Sequence, residues 1–328
     1  MLVFIVRRVL VSIPVLIAST ILTFLLVKVA GDPLEYLKER HPPPSPQTIA
    51  VQAHRLYLDH SLPAQYWHWI TRLVFHGDWG PSVHGYSSVG GELGRALLVT
   101  ARLVVFAVLI ALILAIVTGV VSAVKQYSVT DYSTTALGFL FLSMPTFWFA
   151  ILLKQGGIWF NDKTGHTTFY TIGEESLSTT GDSAWQRFTD IFGHTVLPVI
   201  VLGLVGYAAW SRFTRASMLE VLNSDYVRLA RSKGLSPRRV LVKHALRTAL
   251  IPLATVTALD IAALLGGAII TETVFQWHGM GYLFVKGLQD LDFNVMLAWL
   301  LSTAIIVIMF NLIADLLYGV LDPRIRHA

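Results

Sequence analysis

Cysteine is absent from the 328-residue chain, which excludes disulfides, thiolate metal sites, iron–sulfur clusters and a cysteine nucleophile within it. Charge is scarce as well: 14% of residues are Asp, Glu, Lys or Arg, against roughly 25% in an average soluble domain. The sequence holds no G-x-x-x-x-G-K-[ST] phosphate loop, no G-x-S-x-G elbow and no H-E-x-x-H pair. Nor are there paired aspartates in facing mid-span positions, so an intramembrane protease has no residues to work with. What the chain has in abundance is apolar surface, at 54% of residues and a mean hydropathy of +0.62.

The apolar residues fall into six runs, near 8–29, 96–124, 134–160, 194–219, 249–275 and 294–320. Each reaches the about 20 residues needed to cross a hydrocarbon core of about 30 Å. The chain therefore reads as an all-α integral membrane protein with six transmembrane helices. Arg7-Arg8 ahead of the first run resembles a signal-peptide n-region. The uncharged stretch from Val9 to Val27 exceeds the 7–15 residues of an h-region, so it reads as a spanning helix.

Net charge is +5, but where the basic residues lie matters more than their sum. With the N-terminus inside, inner segments and adjoining helix ends hold Arg7, Arg8, Lys125, Arg212, Arg215, Arg228, Arg231, Lys233, Arg238, Arg239, Lys243, Arg247, Arg324 and Arg326, more than half of the 25 basic residues. The longer outer loops carry fewer. That bias sets an N-in, C-in orientation in the cytoplasmic membrane, and six spans return the chain to its starting side. The resulting organisation is a first helix over 1–30, an extracytoplasmic cap over 31–95, a five-helix core over 96–320 with a cytoplasmic loop at 220–248, and a tail over 321–328.

Lipid supplies no hydrophobic drive between helices, so small residues at four-residue spacing mark close packing. Ala111, Ala115 and Gly119 form one such row, and Ala254, Ala258, Ala262 and Gly266 another. Pro14, Pro145, Pro198 and Pro252 stand in or at the ends of four spans. Asp260 lies near the midpoint of the fifth span, where an ionised carboxylate costs about 2.5–3.5 kcal/mol on insertion scales and must face the bundle interior. It is a candidate for the translocation path or for a packing bond. Glu272 and Asp315 lie near span ends, where water could solvate them; Lys28, Arg102 and Lys154 can snorkel to the outer interface.

The outer segment contains a Pro-rich turn from Pro42 to Pro46, two periodic stretches, and His41, His54, His60, His68, His76 and His84. A chelating pair on a helix often stands four apart, whereas the last four histidines stand eight apart and cross predicted turns. They read as interfacial or hydrogen-bonding groups rather than metal ligands.

Between spans four and five the residues run Asn223-Ser224-Asp225-Tyr226-Val227-Arg228-Leu229-Ala230-Arg231-Ser232-Lys233-Gly234-Leu235-Ser236-Pro237. Asn223, Ser224 or Asp225 can cap a helix start, Gly234 can end it in a left-handed conformation, and Ser236-Pro237 can start another. As a plain basic loop this would touch anionic lipid. The segment, however, resembles the E-A-A loop of bacterial ABC importer permeases, and Tyr226-Val227-Arg228, Ala230-Arg231, Lys233-Gly234-Leu235 and His244-Ala245-Leu246-Arg247 resemble the dipeptide/oligopeptide/nickel permease family. Further similarities are Gly31-Asp32-Pro33, Ser143 with Pro145, Glu272-Thr273-Val274-Phe275, Asn311 with Asp315, and the ending Asp322-Pro323-Arg324, the last typical of the B-type subunit. The departures are Asp225-Tyr226 in place of an opening Glu, and Leu246-Arg247 in place of a later Leu-Pro.

The resemblance implies a type I ABC importer permease (MetI-like) fold and a transporter subunit rather than an enzyme. The implied partners are a C-type permease, two ABC ATPase subunits or one fused ATPase, an extracytoplasmic substrate-binding lipoprotein, peptide substrate and membrane lipid, with no nucleic acid. No cofactor is expected on this chain; ATP and Mg sit on the ATPases. Residues 225–235 would form the ATPase-coupling loop, Ser143, Pro145, Asp260 and Glu272 the candidate path or gate, and Asn311, Asp315 and Asp322 structural positions. Peptides of various lengths, nickel and glutathione are all cargoes in this family. A passive channel is the remaining alternative, against which the ATPase-docking loop argues.

Overall fold

The computed structural model describes residues 2–29, 31–39, 41–42, 44–83, 88–176 and 183–321, and these are helical and loop throughout apart from a lone bridge between Pro81 and Ser88. Helix α1 (Leu2–Val29) is followed by the short α2 (Glu35–Lys38), α3 (Pro46–Arg55) and α4 (Leu62–His76). Ser45 caps α3 by accepting from the Thr48 N–H, with Pro46 at the first helical position, and Gly77 ends α4 at φ 63°. The two periodic stretches of the outer segment are thus real helices.

The core begins with α5 (Val89–Val124), capped by Ser88, and continues with α6 (Val129–Ser143), α7 (Thr146–Thr164) and α8 (Ala184–Leu222). A reciprocal box between Ser183 and Gln186 starts α8 ten residues before its apolar run. After it come α9 (Asp225–Ser232), α10 (Pro237–Arg239), a π-helical turn (Val240–Leu246), α11 (Arg247–Leu265), α12 (Ile269–Phe275), α13 (Met280–Gln289) and α14 (Phe293–Leu321).

Five helical units are long and apolar enough to cross a membrane: α1, α5, α8, the continuous stretch 237–265, and α14. Helices α6 and α7 pass the same test only when taken together, as one broken span that would make the sixth. The sequence reads it as one run over 134–160, yet the two helices meet at 102°. Pro145 explains the bend, because it pushes Met144 out of the helical region to φ −74°, ψ 127°. The fifth span needs a similar correction. It breaks after Leu265 instead of running to 275, because Gly267 adopts φ 131° and its backbone packs on Gly281; an added Cβ at Gly267 would stand 2.4 Å from the Gly281 nitrogen.

Helices α5 and α8 form the centre. Ala111 and Ala115 are almost fully buried between them, and a Cβ on Gly119 would lie 2.7 Å from Thr214 Cβ. The second row also packs: a Cβ on Gly266 would lie 2.8 Å from Thr303 Cγ2 of α14. The small-residue rows thus mark the helix contacts.

The two ends of the bundle are pinned differently. At the outer end the Asp292 carboxylate accepts from Ser82 Oγ at 2.6 Å, the Val83 N–H at 2.8 Å and the Val295 N–H at 3.3 Å, tying the cap to the start of α14. Thr20 and Tyr66 share a hydroxyl hydrogen bond of 2.8 Å that ties the cap to α1. At the inner end Arg8 pairs with Asp315 at 2.5 Å, joining α1 to α14. The histidines of the cap serve local packing: Tyr57 stacks with His60 and His68, and His54 and His60 bond Asp59. His84 lies outside the described residues.

Candidate functional site

The inner end carries the segment with the most specific pattern. Ser224 stands at the N-cap of α9, its hydroxyl donating to the Val221 carbonyl at 2.6 Å, so the cap side chain holds the preceding turn rather than the helix N–H groups. Lys233 closes the helix, Gly234 turns the chain at φ 76°, and Ser236-Pro237 opens α10. Residues 225–235 thus form a short helix and a glycine turn at the inner end of the bundle.

One face of α9 is anchored. Val227 is fully buried and Ala230 nearly so, in a cluster with Ala123 of α5, Met218 of α8, Val240 and Ala245 of the π turn, and Ala249 of α11. Motion of α9 is therefore mechanically tied to three spans at once. The opposite face is open: Tyr226 is 44% exposed and Leu229 55%, two large apolar groups facing water. Around them Arg228, Arg231, Lys233, Arg238 and Arg239 are exposed, and Asp225 reaches only Arg228, at 3.7 Å. An apolar pair inside a basic ring is the form of a protein-docking knob rather than of a catalytic centre.

A buried polar lock lies under the knob. Arg215 of α8 donates to both oxygens of the Asp131 carboxylate, at 2.8 and 2.9 Å. Asp131 also receives the Tyr127 N–H at 2.9 Å and the Ser122 hydroxyl. Asp131 is 3% exposed, so this fork joins α5, α6 and α8 where water is largely excluded. Sequence alone does not single out Asp131: it lies in the first turn of α6, outside the apolar run, and only the fold brings it to Arg215, 84 positions away.

The path candidates sit higher in the bundle. Asp260 on α11 accepts from the Trp210 indole N–H of α8 at 2.6 Å, so it faces a neighbouring helix, as its cost in lipid requires. Ser143 and Pro145 are exposed at the α6–α7 bend, with the Ser143 hydroxyl bonded back to the Leu140 carbonyl. Glu272 departs from the sequence reading: it is fully buried, not solvated. It takes the Thr100 hydroxyl at 2.7 Å and the backbone N–H groups of Gly281 and Tyr282 at 2.8 and 3.1 Å, while Thr100 itself accepts the Met280 N–H. The carboxylate thus clamps α5, α12 and α13. The structure does not gather Asp260, Glu272 and the bend into one cluster.

Two charged groups near the outer ends donate to backbone carbonyls of the chain itself. Arg102 donates to the Glu174 carbonyl at 2.9 Å and lies over Trp277, and Lys154 donates to the Val274 carbonyl at 2.8 Å. Asn311 is half-buried on α14, and Asp322 lies outside the described residues.

Two family patterns match the chain: residues 1–89 match the N-terminal membrane component of binding-protein-dependent transport systems, and residues 111–327 match the binding-protein-dependent transport system inner membrane component. The chain belongs to this family. As a transport-system membrane component it is a multi-pass inner-membrane permease, and its relatives agree along the full length. It is 40% identical over 320 residues to the oligopeptide transport system permease protein OppB of Mycobacterium bovis, covering 98% of each chain. It is 39% identical over 339 residues to the dipeptide transport system permease protein DppB of Escherichia coli strain K12, covering 100% of this chain and 99% of that one. The inward-facing MetNI methionine ABC transporter, at 18% identity and a TM-score of 0.52 over 70% of this chain and 96% of that one, shares the permease fold.

Proposed function

We propose that this permease forms, with a second permease chain, the path by which peptides enter the cell, and that α9 receives the drive from an ATPase on the cytoplasmic side. The observation that carries the coupling is the two-faced α9: Val227 and Ala230 locked into α5, α8 and α11, Tyr226 and Leu229 left facing water inside a basic ring. A helix with one buried and one open face passes a push from its partner into three spans. The basic ring fits a groove with an acidic rim.

Peptide as cargo is supported by the relatives that are oligopeptide and dipeptide permeases. ATP and Mg belong to the partner ATPase in this reading, and an extracytoplasmic binding protein delivers the peptide to the outer face. Coupling needs two arrangements of the bundle whose balance nucleotide biases. The Pro145 bend supplies a place where a span can reorient.

The test is uptake of a labelled oligopeptide mixture, with labelled nickel alongside, in cells lacking the gene and in cells with it restored. Loss of peptide uptake alone supports the reading. Loss of nickel uptake alone contradicts the peptide assignment and leaves the permease architecture intact.

A further inference from the structure

The turn between α5 and α6 is rigidly built. Lys125 closes α5 by donating its N–H to the Val121 carbonyl, and its own carbonyl accepts the Ser128 N–H at 3.1 Å. The Ser128 hydroxyl then caps α6 by accepting the Asp131 N–H. Between these two residues Tyr127 stands at φ 63°, a left-handed conformation that is uncommon outside glycine and costs about 1–2 kcal/mol. The buried Asp131 carboxylate, itself forked by Arg215, holds it there by accepting the Tyr127 N–H at 2.9 Å. Strain of this kind persists only where the surroundings over-determine it, and it clusters at binding and switch regions.

The side chains so presented are large and apolar. Tyr127 is 71% exposed, Val129 82% and Tyr132 64%, and the last two stand three apart, so they share a face of α6. Membrane depth decides what can cover them. Gly119 of α5 packs on Thr214 of α8, two residues past Arg212, which is the first charged group after a stretch, 191–211, free of Asp, Glu, Lys and Arg. That level marks the inner edge of the hydrocarbon. Helix α5 continues from Gly119 to Val124 before the turn begins, a further descent of about 8 Å. Headgroups occupy about 5–7 Å on each side of the hydrocarbon, so Tyr127 and Val129 stand past the lipid and face the cytoplasm.

Two observations point to one occupant. Ala123, four residues before Tyr127, is buried in the same cluster as Val227 and Ala230, so the turn is continuous with the α9 knob. Its charge also matches: Lys125 is exposed and pairs with no carboxylate among the described residues, while the one acid between Lys125 and Ser143, Asp131, is taken by Arg215. We propose that Tyr127, Val129 and Tyr132 form a second docking ledge for the cytoplasmic ATPase that α9 engages, with Lys125 extending the basic ring. This rests on the coupling reading above and adds a second foothold, joined to α8 through the Asp131–Arg215 fork.

The absence of cysteine makes the test direct. In membranes holding the complete transporter, Gln126→Cys and Leu229→Cys are each treated with a thiol-reactive photo-crosslinker, and the wild-type chain, which has no thiol, gives the background. Both variants are expected to yield an adduct with the ATPase. An ATPase adduct from Leu229→Cys alone would overturn the ledge and leave α9 as the coupling element, whereas none from either would overturn both readings. Rebinding of ATPase to stripped vesicles supplies the second measurement. Tyr127→Asn, which tolerates the left-handed backbone, combined with Val129→Ser should raise the half-saturating ATPase concentration at least five-fold, and Tyr127→Phe should leave it near the wild-type value. Equal values for the double variant and the wild type would overturn the proposal.

Discussion

Thr100 and Glu272, 172 positions apart, share a buried 2.7 Å hydrogen bond in which the hydroxyl donates to a carboxylate that has no exposure to solvent. This bond, with the two backbone N–H groups of α13, holds the segment after the Gly267 break against α5. Thr100→Val keeps the shape and removes both the donor to Glu272 and the acceptor for Met280. The expected loss is about 1–3 kcal/mol, the cost of leaving a buried side-chain oxygen and a buried backbone N–H without their partners. Thr100→Ser should restore most of it. Melting temperatures of the purified variants in detergent decide the matter, and equal values for Val and wild type would contradict the clamp.

The Arg215–Asp131 fork predicts an asymmetry. Arg215→Ala leaves a buried carboxylate without its cation and is expected to cost about 3 kcal/mol. Replacing both residues by apolar ones of similar size, Arg215→Met with Asp131→Leu, should cost less than the single change. Membrane abundance together with thermal stability of the three variants reads this out.

At Gly234 the backbone is left-handed, and nothing lies within 4 Å of a Cβ placed there. Gly234→Val therefore meets no clash; it strains the turn by about 1–2 kcal/mol and shifts the end of α9. The expectation is normal membrane abundance and persisting ATP hydrolysis by the assembled transporter, with peptide uptake sharply reduced. Uptake at the wild-type rate would argue against α9 as the coupling element.

The Gly80 N–H and, next to it, the Arg72 guanidinium hold the Asp78 carboxyl below its ordinary value. A depressed carboxylate contributes stability that is complete above the ordinary range near pH 4 and is lost as pH falls through the folded value. The cap joint around Trp79 should loosen in acid below about pH 4, with a change in Trp fluorescence that Asp78→Asn shifts or removes. An unchanged acid transition in Asp78→Asn would place its cause elsewhere.

Much of this architecture was legible in the residues because the length of an apolar run is a property of the chain alone. Six spans, the small-residue rows and the helix–glycine–helix order at 225–237 all follow from local spacing. The bend at Met144 and the break after Leu265 were not legible, because apolarity continues unbroken through both and only the backbone departs from helix. Glu272 misled for a related reason. Its place near a span end suggests solvent, and its burial depends on Thr100, Gly281 and Tyr282 folding over it. Asp131 and Arg215, on separate elements, carry no shared signal until the helices pack.

The most direct test of the account is ATP-driven uptake of labelled peptide by proteoliposomes holding the complete transporter, compared between wild type and Tyr226→Ala with Leu229→Ala. These two side chains face water, so their loss should change stability by no more than about 0.5 kcal/mol. The account predicts that the double variant assembles in the membrane, that uptake requires ATP in the wild type, and that it falls at least ten-fold in the variant. Uptake without ATP, or undiminished uptake in the double variant, would contradict it.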